Sequence, residues 1–179
     1  MVERLFIAIE IPREIKELFI PIADELRKAK GKIVPIENIH LTLKFIGETD
    51  MREDIIKVLS NCGMRKFVLK VKGVGVFPNV SRPRVFWVGI EENKELGELF
   101  SFVEDRLFSI GIPKDERPFS PHITLSRFKF SPIHGLGRII NEYRNFDFGV
   151  CEVKEFFLFK SELREPNPIY TKLYSFPLV

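Results

Sequence analysis

The sequence is short of several residue types that often mark a function. It has no glutamine, one tryptophan and three histidines in 179 residues, whereas lysine, arginine and glutamate dominate its polar positions. That bias is common in proteins from hot environments. The two cysteines, Cys62 and Cys151, stand far apart without a C-x-x-C motif or metal-ligand spacing. We therefore predict buried, reduced thiols in a reducing compartment, and neither a metal site nor a cofactor.

Long apolar runs are missing as well. The first run, from Leu5 to Ile11, contains Glu10 and stops at Pro12, so it is too short and too charged for a signal peptide or a membrane span. No other stretch approaches the ~20 apolar residues that a membrane helix needs. We predict a soluble, cytoplasmic protein with no membrane partner. The net charge of +3 permits a nucleic-acid partner without demanding one, because dedicated electrostatic binders are far more basic.

The composition that remains is typical of a globular protein. Hydrophobic residues make up 45% of the chain and charged residues 30%, and eighteen phenylalanines favour an aromatic core. A chain of 179 residues can bury such a core without disulfides. We expect one domain over 1–179 and a monomer.

The chain repeats itself at an offset of about 80 residues. The apolar strand pattern at Arg4–Ile9 returns at Arg84–Ile90, and each copy precedes a helix that contains a Glu-Leu-Phe triplet. An H-x-T-L motif at His40 returns at His122, 82 residues later. An offset kept through several elements indicates an internal duplication.

Hydrophobic periodicity predicts alternating strands and helices. Strands are predicted over 4–10, 40–46, 67–77, 84–90, 153–163 and 170–176, and at both H-x-T-L motifs. Helices are predicted after Pro12 with a kink at Pro21, over 50–59 with Thr49 or Asp50 as the cap, around 98–100, and near 135–143.

These elements favour an α+β fold. We predict two β-α-β-α-β lobes related by a pseudo-two-fold axis, with mainly antiparallel sheets facing a central cleft and helices outside. The N-terminal lobe covers about 1–80, the C-terminal lobe about 81–165, and a final strand about 169–177.

The two H-x-T-L motifs supply the candidate site. Side chains alternate between the faces of a strand, so His40 and Thr42 share one face, as do His122 and Thr124. Two-fold symmetry lets both faces look into one cleft. Arg127 is out of phase and reaches that face only if its strand twists or bulges.

Phosphodiester cleavage is the chemistry that this arrangement suits. A base must deprotonate the attacking oxygen while an acid protonates the departing oxygen on the opposite side of phosphorus, and histidine serves in both roles near neutral pH. The threonine hydroxyls can donate hydrogen bonds to the non-bridging oxygens as negative charge builds, and Arg127 can add a charge-assisted contact. No metal is required.

Structural interpretations stand beside this one. A single histidine on a strand is more often structural than catalytic, and two matched copies can be inert relics of a duplication. Burying histidine twice in a core carries a desolvation cost, which favours function. His134 lacks such a setting and is predicted to lie on the surface. Lys44 shares the His40 face by alternation and fits a phosphate contact and a solvated position equally, whereas Phe45, Phe86 and Trp87 are predicted in the core.

The chain resembles the 2H phosphoesterase superfamily, and most closely the RNA 2′,3′-cyclic phosphodiesterases formerly called 2′-5′ RNA ligases (the LigT type). The resemblance covers nearly the whole chain and rests on four segments: 4–8, 40–47, 82–89 and 117–127. One H-x-T motif alone carries almost no information. Two, with this spacing and these flanks, are specific.

The resemblance implies a function and roles. It identifies His40 as the proton donor, His122 as the proton acceptor, Thr42 and Thr124 as phosphate-holding residues, and Arg127 as the arginine that closes the second motif. The implied reaction hydrolyses a 2′,3′-cyclic phosphate at an RNA end to a 2′-phosphomonoester, and its reverse joins such an end to a 5′-hydroxyl. RNA with a cyclic phosphate end, tRNA halves among the candidates, is the expected partner.

Three alternatives remain open from sequence. The substrate could be a small cyclic nucleotide or an ADP-ribose cyclic phosphate. The chain could be an RNA-end binding module without turnover, although a pure binder has no need of two proton-transfer groups. Metal-dependent hydrolysis is disfavoured because no H-x-H, H-x-x-x-H or Asp/His cluster has ligand spacing.

Overall fold

Strands and helices alternate along the chain in the computed structural model, which describes residues 1–179. The strands are β1 (Glu3–Glu10), β2 (Lys32–Ile33), β3 (His40–Thr49), β4 (Phe67–Phe77), β5 (Val85–Ile90), β6 (His122–Arg127), β7 (Asp147–Val153), β8 (Glu155–Glu162) and β9 (Ile169–Pro177). The helices are α1 (Arg13–Glu17), α2 (Ile20–Lys28), α3 (Arg52–Leu59), α4 (Lys94–Phe108) and α5 (Leu136–Tyr143), with a 3-10 turn at Ile36–Asn38. None of these helices is long and apolar enough to cross a membrane.

All strands join one antiparallel sheet with the order β7-β4-β5-β6-β3-β1-β8-β9, and β2 pairs with β6. The centre lies between β3 and β6, where Leu41 pairs with Ile123, two residues that are themselves 82 positions apart. Reading outward, β3-β1-β8-β9 mirrors β6-β5-β4-β7. The predicted α+β class, antiparallel pairing and duplication are therefore confirmed.

The two halves of the sheet do not coincide with the two halves of the sequence. Strand β4 pairs with β5 and β7, whereas β8 pairs with β1 and β9. Each half of the sheet therefore contains a strand from the other sequence repeat. The boundary predicted near residue 80 falls between β4 and β5, which pair directly. The lobe ranges about 1–80 and 81–165 stay a prediction about the repeat.

The helices cover one face of the sheet and leave the other to the cleft. Leu41, Leu43, Ile123 and Leu125 point towards the helices and are buried in the main core with them. On β1, Phe6 and Ala8 point the opposite way and form a second small cluster with Phe157 and Phe159. Strand β1 is thus buried on both faces, which explains its continuous apolar sequence.

Three local predictions need correction. The helix after Pro12 is interrupted at Leu18–Phe19 and resumes as α2, with Pro21 in its first turn, where proline is tolerated. Helix α3 begins at Arg52, and no side chain caps it, so the cap predicted at Thr49 or Asp50 is wrong. The Thr49 hydroxyl accepts instead from the Met51 N–H at 3.1 Å.

The third correction concerns the strand predicted over 153–163. It is the second of two strands, because a break at Lys154 separates β8 from β7, which the prediction missed. Strand β7 lies at the edge of the sheet, and its glycine and charged residues weaken the apolar alternation that would identify it.

A buried ion pair ties β3 to α4 and to the segment that leads into β6. The Lys44 Nζ atom lies 2.8 Å from the Glu104 carboxylate and 3.1 Å from that of Asp115, and it donates to the Pro113 carbonyl at 2.8 Å. The Asp115 N–H donates to Glu104 at 2.8 Å. Side chains of Lys44 and Glu104 are only 2% and 6% exposed. Lys44 is therefore neither a phosphate contact nor a solvated residue.

Removing one member of this pair should destabilise the fold strongly. Lys44→Met leaves the Glu104 charge buried without its partner, which we expect to cost about 3–5 kcal/mol of unfolding free energy. The double variant Lys44→Met/Glu104→Leu should recover much of that loss. Chemical denaturation measures both, with Lys94→Met as the control, since the exposed Lys94–Glu98 pair at 3.8 Å is worth at most ~0.5 kcal/mol. A single variant as stable as the wild type would contradict a structural role for this pair.

Candidate active site

The two central strands bring the predicted site residues to one cavity. His40 and Thr42 on β3 and His122, Thr124 and Arg127 on β6 all line a cavity of about 190 Å³ on the cleft face. The single pairing between β3 and β6 places the two motifs side by side, as a two-fold relation between the repeats requires. All five residues named from the sequence are therefore brought together.

A β-bulge explains how Arg127 reaches this cavity. Thr124 and Ser126 pair with consecutive residues of β5, Trp87 and Phe86, so Leu125 is an extra residue in β6. The alternation of side chains shifts by one position after the bulge. Leu125 and Ser126 both point into the core, and Arg127 returns to the cleft face.

The same bulge occurs at the equivalent place in β3. Thr42 and Lys44 pair with consecutive residues of β1, which makes Leu43 the extra residue. Lys44 consequently turns inward to its ion pair, and Phe45 takes the position that corresponds to Arg127. The prediction that Phe45 belongs to the core is wrong, since it is 64% exposed and lines the cavity. Phe86 is buried as predicted, whereas Trp87 is only partly buried.

Matching backbone hydrogen bonds orient the two imidazoles. His40 Nδ1 lies 2.7 Å from the Asn38 carbonyl oxygen, and His122 Nδ1 lies 2.8 Å from that of Ser120. A carbonyl oxygen can only accept, so each Nδ1 carries the proton and donates it. In the neutral ring the Nε2 atom is then the free basic nitrogen, which fixes the tautomer of both histidines.

The two histidines differ in the hydrogen bonding of their Nε2 atoms. His40 Nε2 lies 2.7 Å from the Thr42 hydroxyl, which donates to it while the ring is neutral. The pKa of His40 is lowered from 6.5 to about 4, mainly by burial and in the same direction by the nearby charges of Lys16 and Arg127, while the Asn38 hydrogen bond opposes the shift. His40 is therefore neutral at pH 7 in the free protein.

Aromatic rings surround His40 more completely than His122. The centroids of Phe6 and Tyr170 lie 5.0 and 5.4 Å from that of the His40 ring. At His122 the edge of Phe77 packs at 5.0 Å. This asymmetry agrees with the desolvation that dominates the pKa of His40.

The charge of the cavity suits an anion. Its lining includes the cations Lys32 and Arg127 and no carboxylate. The hydroxyls of Thr42 and Thr124 and the amide of Asn38 supply polar groups, although the Asn38 amide already donates to the Pro168 carbonyl at 2.9 Å. A phosphate between the two imidazoles would find donors on several sides.

Sequence reasoning missed several residues that line this cavity. Lys32 comes from β2, Asn38 from the turn before β3, and Tyr170 from the last strand. No motif marks them, because they arrive through strand pairing and turn geometry. His134 is exposed, as predicted. No group of three or more His, Cys, Asp or Glu side chains is arranged to hold a metal ion.

Relatives with known names match almost the whole chain. A protein of Methanocaldococcus jannaschii named RNA 2′,3′-cyclic phosphodiesterase is 38% identical over 170 residues, which cover 93% of this chain and 96% of the relative. A protein of the same name from Archaeoglobus fulgidus is 36% identical and covers 97% of this chain and 99% of its own.

Solved structures and a family model agree with these relatives. A Thermus thermophilus protein superimposes with a TM-score of 0.84 at 28% identity, covering 97% of each chain. The complex of E. coli LigT with 3′-AMP gives a TM-score of 0.81 at 27% identity, covering 99% of each chain. The model of the family described as LigT like Phosphoesterase matches twice in succession, at residues 5–87 and 88–170. With both repeats matched, the chain belongs to the LigT-like phosphoesterase family.

Proposed function

We propose that this protein hydrolyses 2′,3′-cyclic phosphates at RNA ends to 2′-phosphomonoesters, as an RNA 2′,3′-cyclic phosphodiesterase. The observation that carries the proposal is that His40 and His122 line the same cavity. In each histidine, Nδ1 donates a hydrogen bond to a backbone carbonyl. Each ring thereby keeps Nε2 for proton exchange with a substrate. The names of the relatives support RNA as the substrate, and we expect the cytoplasm as the site of action.

In the proposed reaction the two histidines act on opposite sides of phosphorus. His122 Nε2 removes the proton of the attacking water, the new oxygen–phosphorus bond forms in line, and the bond from phosphorus to the 3′ oxygen breaks. His40 protonates that departing oxygen. Thr42, Thr124 and Arg127 stabilise the charge on the non-bridging oxygens. Joining the cyclic end to a 5′-hydroxyl uses the same groups in the same roles, with that hydroxyl attacking phosphorus in place of water.

The low pKa of His40 has a consequence for its role as the acid. A neutral His40 has no second proton to donate, so it must gain one when the substrate binds. The negative charge of the phosphate opposes the effect of burial and raises the pKa of the imidazole. Once Nε2 is protonated it no longer accepts from Thr42, and the threonine hydroxyl is free to donate to the phosphate. Substrate binding thus leads to protonation of His40, which can then act as the acid.

Activity should require both histidines. His40→Ala and His122→Ala should each lower turnover of a short RNA with a 2′,3′-cyclic phosphate end by roughly 10²- to 10⁴-fold, the range for one acid–base group, while the protein stays folded. Assays in EDTA with identification of the product end measure this. His134→Ala is the matched control, since that histidine is exposed and outside the cavity. Near wild-type turnover in either site variant would refute the two-histidine mechanism.

The protonation of His40 should depend on an anionic ligand. By NMR, His40 in the free protein should titrate near pH 4, and adenosine 2′-monophosphate, a mimic of the product end, should raise that midpoint. The sequence has three histidines, so the alanine variants assign the signals. A midpoint near 6.5 without ligand, or one that the nucleotide does not raise, would contradict this account.

The lowered pKa of His40 also makes the free energy of unfolding depend on pH, in a direction that follows from the sign of the shift. Between pH 6.5 and 4 the unfolded chain binds a proton at His40 that the folded protein does not. The contribution of neutral His40 to stability is therefore complete above pH 6.5 and is lost as the pH falls towards 4. His40→Ala should weaken the pH dependence of unfolding in this window.

A further inference from the structure

The sheet extends further beside His40 than beside His122. Phe159 of β8 lies next to His40, with 6.4 Å between the ring centroids, and its counterpart at the 82-residue offset, Phe77 of β4, packs on His122 at 5.0 Å. The outer strand β9 pairs with β8 past Phe159. Strand β7, which flanks β4 in the mirrored position, pairs with β4 only over Phe67–Lys72 and stops short of Phe77. An outer strand therefore reaches the level of the histidine on one side only.

The beginning of β9 and the turn before it form one side of the cavity that holds the two histidines. Asn167, Pro168 and Tyr170 line the cavity there, and we call these three residues the C-terminal wall. The Tyr170 ring stands edge-on to the His40 imidazole, with 5.4 Å between the centroids and 80° between the ring planes. No residue of β7 lines the cavity. The C-terminal wall therefore flanks His40 and has no counterpart from β7 at His122.

Asn38 fastens the C-terminal wall to the strand that carries His40. The side-chain amide of Asn38 donates to the Pro168 carbonyl at 2.9 Å, and the residue is only 8% exposed. Its backbone carbonyl accepts from His40 Nδ1 at 2.7 Å. The equivalent residue of the second repeat, Ser120, offers the same carbonyl to His122 at 2.8 Å but is itself exposed. One residue thus orients the His40 ring and also holds the wall beside it.

The C-terminal wall brings no unpaired charge to His40. Burial raises the pKa of the Tyr170 phenol, so this side chain is neutral at pH 7. Strand β9 also carries Lys172, which is paired with Glu10 at 2.7 Å. The other charged and titratable groups around His40 come from α1, β1, β2 and β6, and they are Lys16, Glu10, Lys32, Arg127 and His122. The wall therefore acts on His40 by excluding water and not by attracting or repelling charge.

We propose that Asn38 and Tyr170 are positioning residues that assign the acid role to His40: Asn38 holds the C-terminal wall in place, and the Tyr170 ring keeps water from the imidazole until the substrate phosphate arrives. A ring shielded from water binds its second proton weakly. The proton that the phosphate draws to Nε2 then passes readily to the departing 3′ oxygen, as an acid catalyst requires. Two histidines with the same motif thereby take different roles. The proposal rests on the proposed function.

The titration of His40, followed by NMR, tests the C-terminal wall without an assay of activity. Its midpoint is measured for the wild type, Tyr170→Ala, Tyr170→Phe and Asn38→Ala, the last of which keeps the backbone carbonyl that His40 uses. Tyr174→Ala is the control for loss of a tyrosine from the same strand, since Tyr174 is 40% exposed and lies outside the cavity. Ser120→Ala is the control for Asn38→Ala. The NMR spectra also show whether each variant is folded.

We expect Tyr170→Ala to raise the midpoint of His40 by at least about one pH unit, because water then reaches the ring. Asn38→Ala should shift the midpoint in the same direction, since it releases the C-terminal wall. Tyr170→Phe and both controls should keep the wild-type midpoint. In the pH profile of kcat/KM for a short RNA with a 2′,3′-cyclic phosphate end, the apparent pKa that His40 contributes should move with the NMR midpoint.

Three results would overturn the proposal. One is an unchanged midpoint in Tyr170→Ala or in a folded Asn38→Ala; if Asn38→Ala does not fold, the Tyr170 variants decide. Another is a Tyr170→Phe midpoint raised as much as that of Tyr170→Ala, because the hydroxyl and not the ring would then be responsible. The third is an equal shift in Tyr174→Ala. A wild type without activity on the cyclic phosphate end would instead refute the proposed function, and the titration would still report on the wall.

Discussion

The pairing of β3 with β6 is the contact on which the candidate site depends. Only Leu41 and Ile123 pair there, at the point where the two repeats meet. Because each lies next to its own histidine, this pairing sets the separation and relative orientation of His40 and His122. The core beneath holds the strands together, with both residues fully buried. The ion pair of Lys44 then fixes the segment that leads into β6.

Two equivalent β-bulges bring different side chains to the two halves of the site. The bulges at Leu43 and Leu125 occupy equivalent positions and bring a further side chain to the cleft, Phe45 in one repeat and Arg127 in the other. Duplication supplied the symmetric pair of histidines, and divergence after each bulge supplied an aromatic ring in one repeat and a cation in the other. The burial of His40 among aromatic rings adds a second asymmetry, because it lowers the pKa of that histidine.

The sequence predicted the parts of the site that follow from local rules. Strand alternation placed the histidines and threonines on one face, and the repeat placed both faces in one cleft. Alternation failed for Lys44 and Phe45, since a bulge is a tertiary adaptation that residue types alone do not reveal. The sequence could not place Tyr170 and Lys32 in the cavity for another reason. Their positions depend on which distant strands pair. The edge strand β7 and the exchange of β4 and β8 between the halves of the sheet depend on the same long-range choice.

The central claim is that one phosphorus sits between His40 and His122 for in-line displacement. A crystal structure with an adenosine–vanadate complex tests it directly, because pentacoordinate vanadium mimics the geometry of the transition state. We predict one apical oxygen within about 2.6 to 3.2 Å of His40 Nε2 and the other within the same distance of His122 Nε2. The Thr42 and Thr124 hydroxyls should donate to equatorial oxygens. Vanadium bound outside the cleft, or both apical oxygens remote from one histidine, would contradict the account.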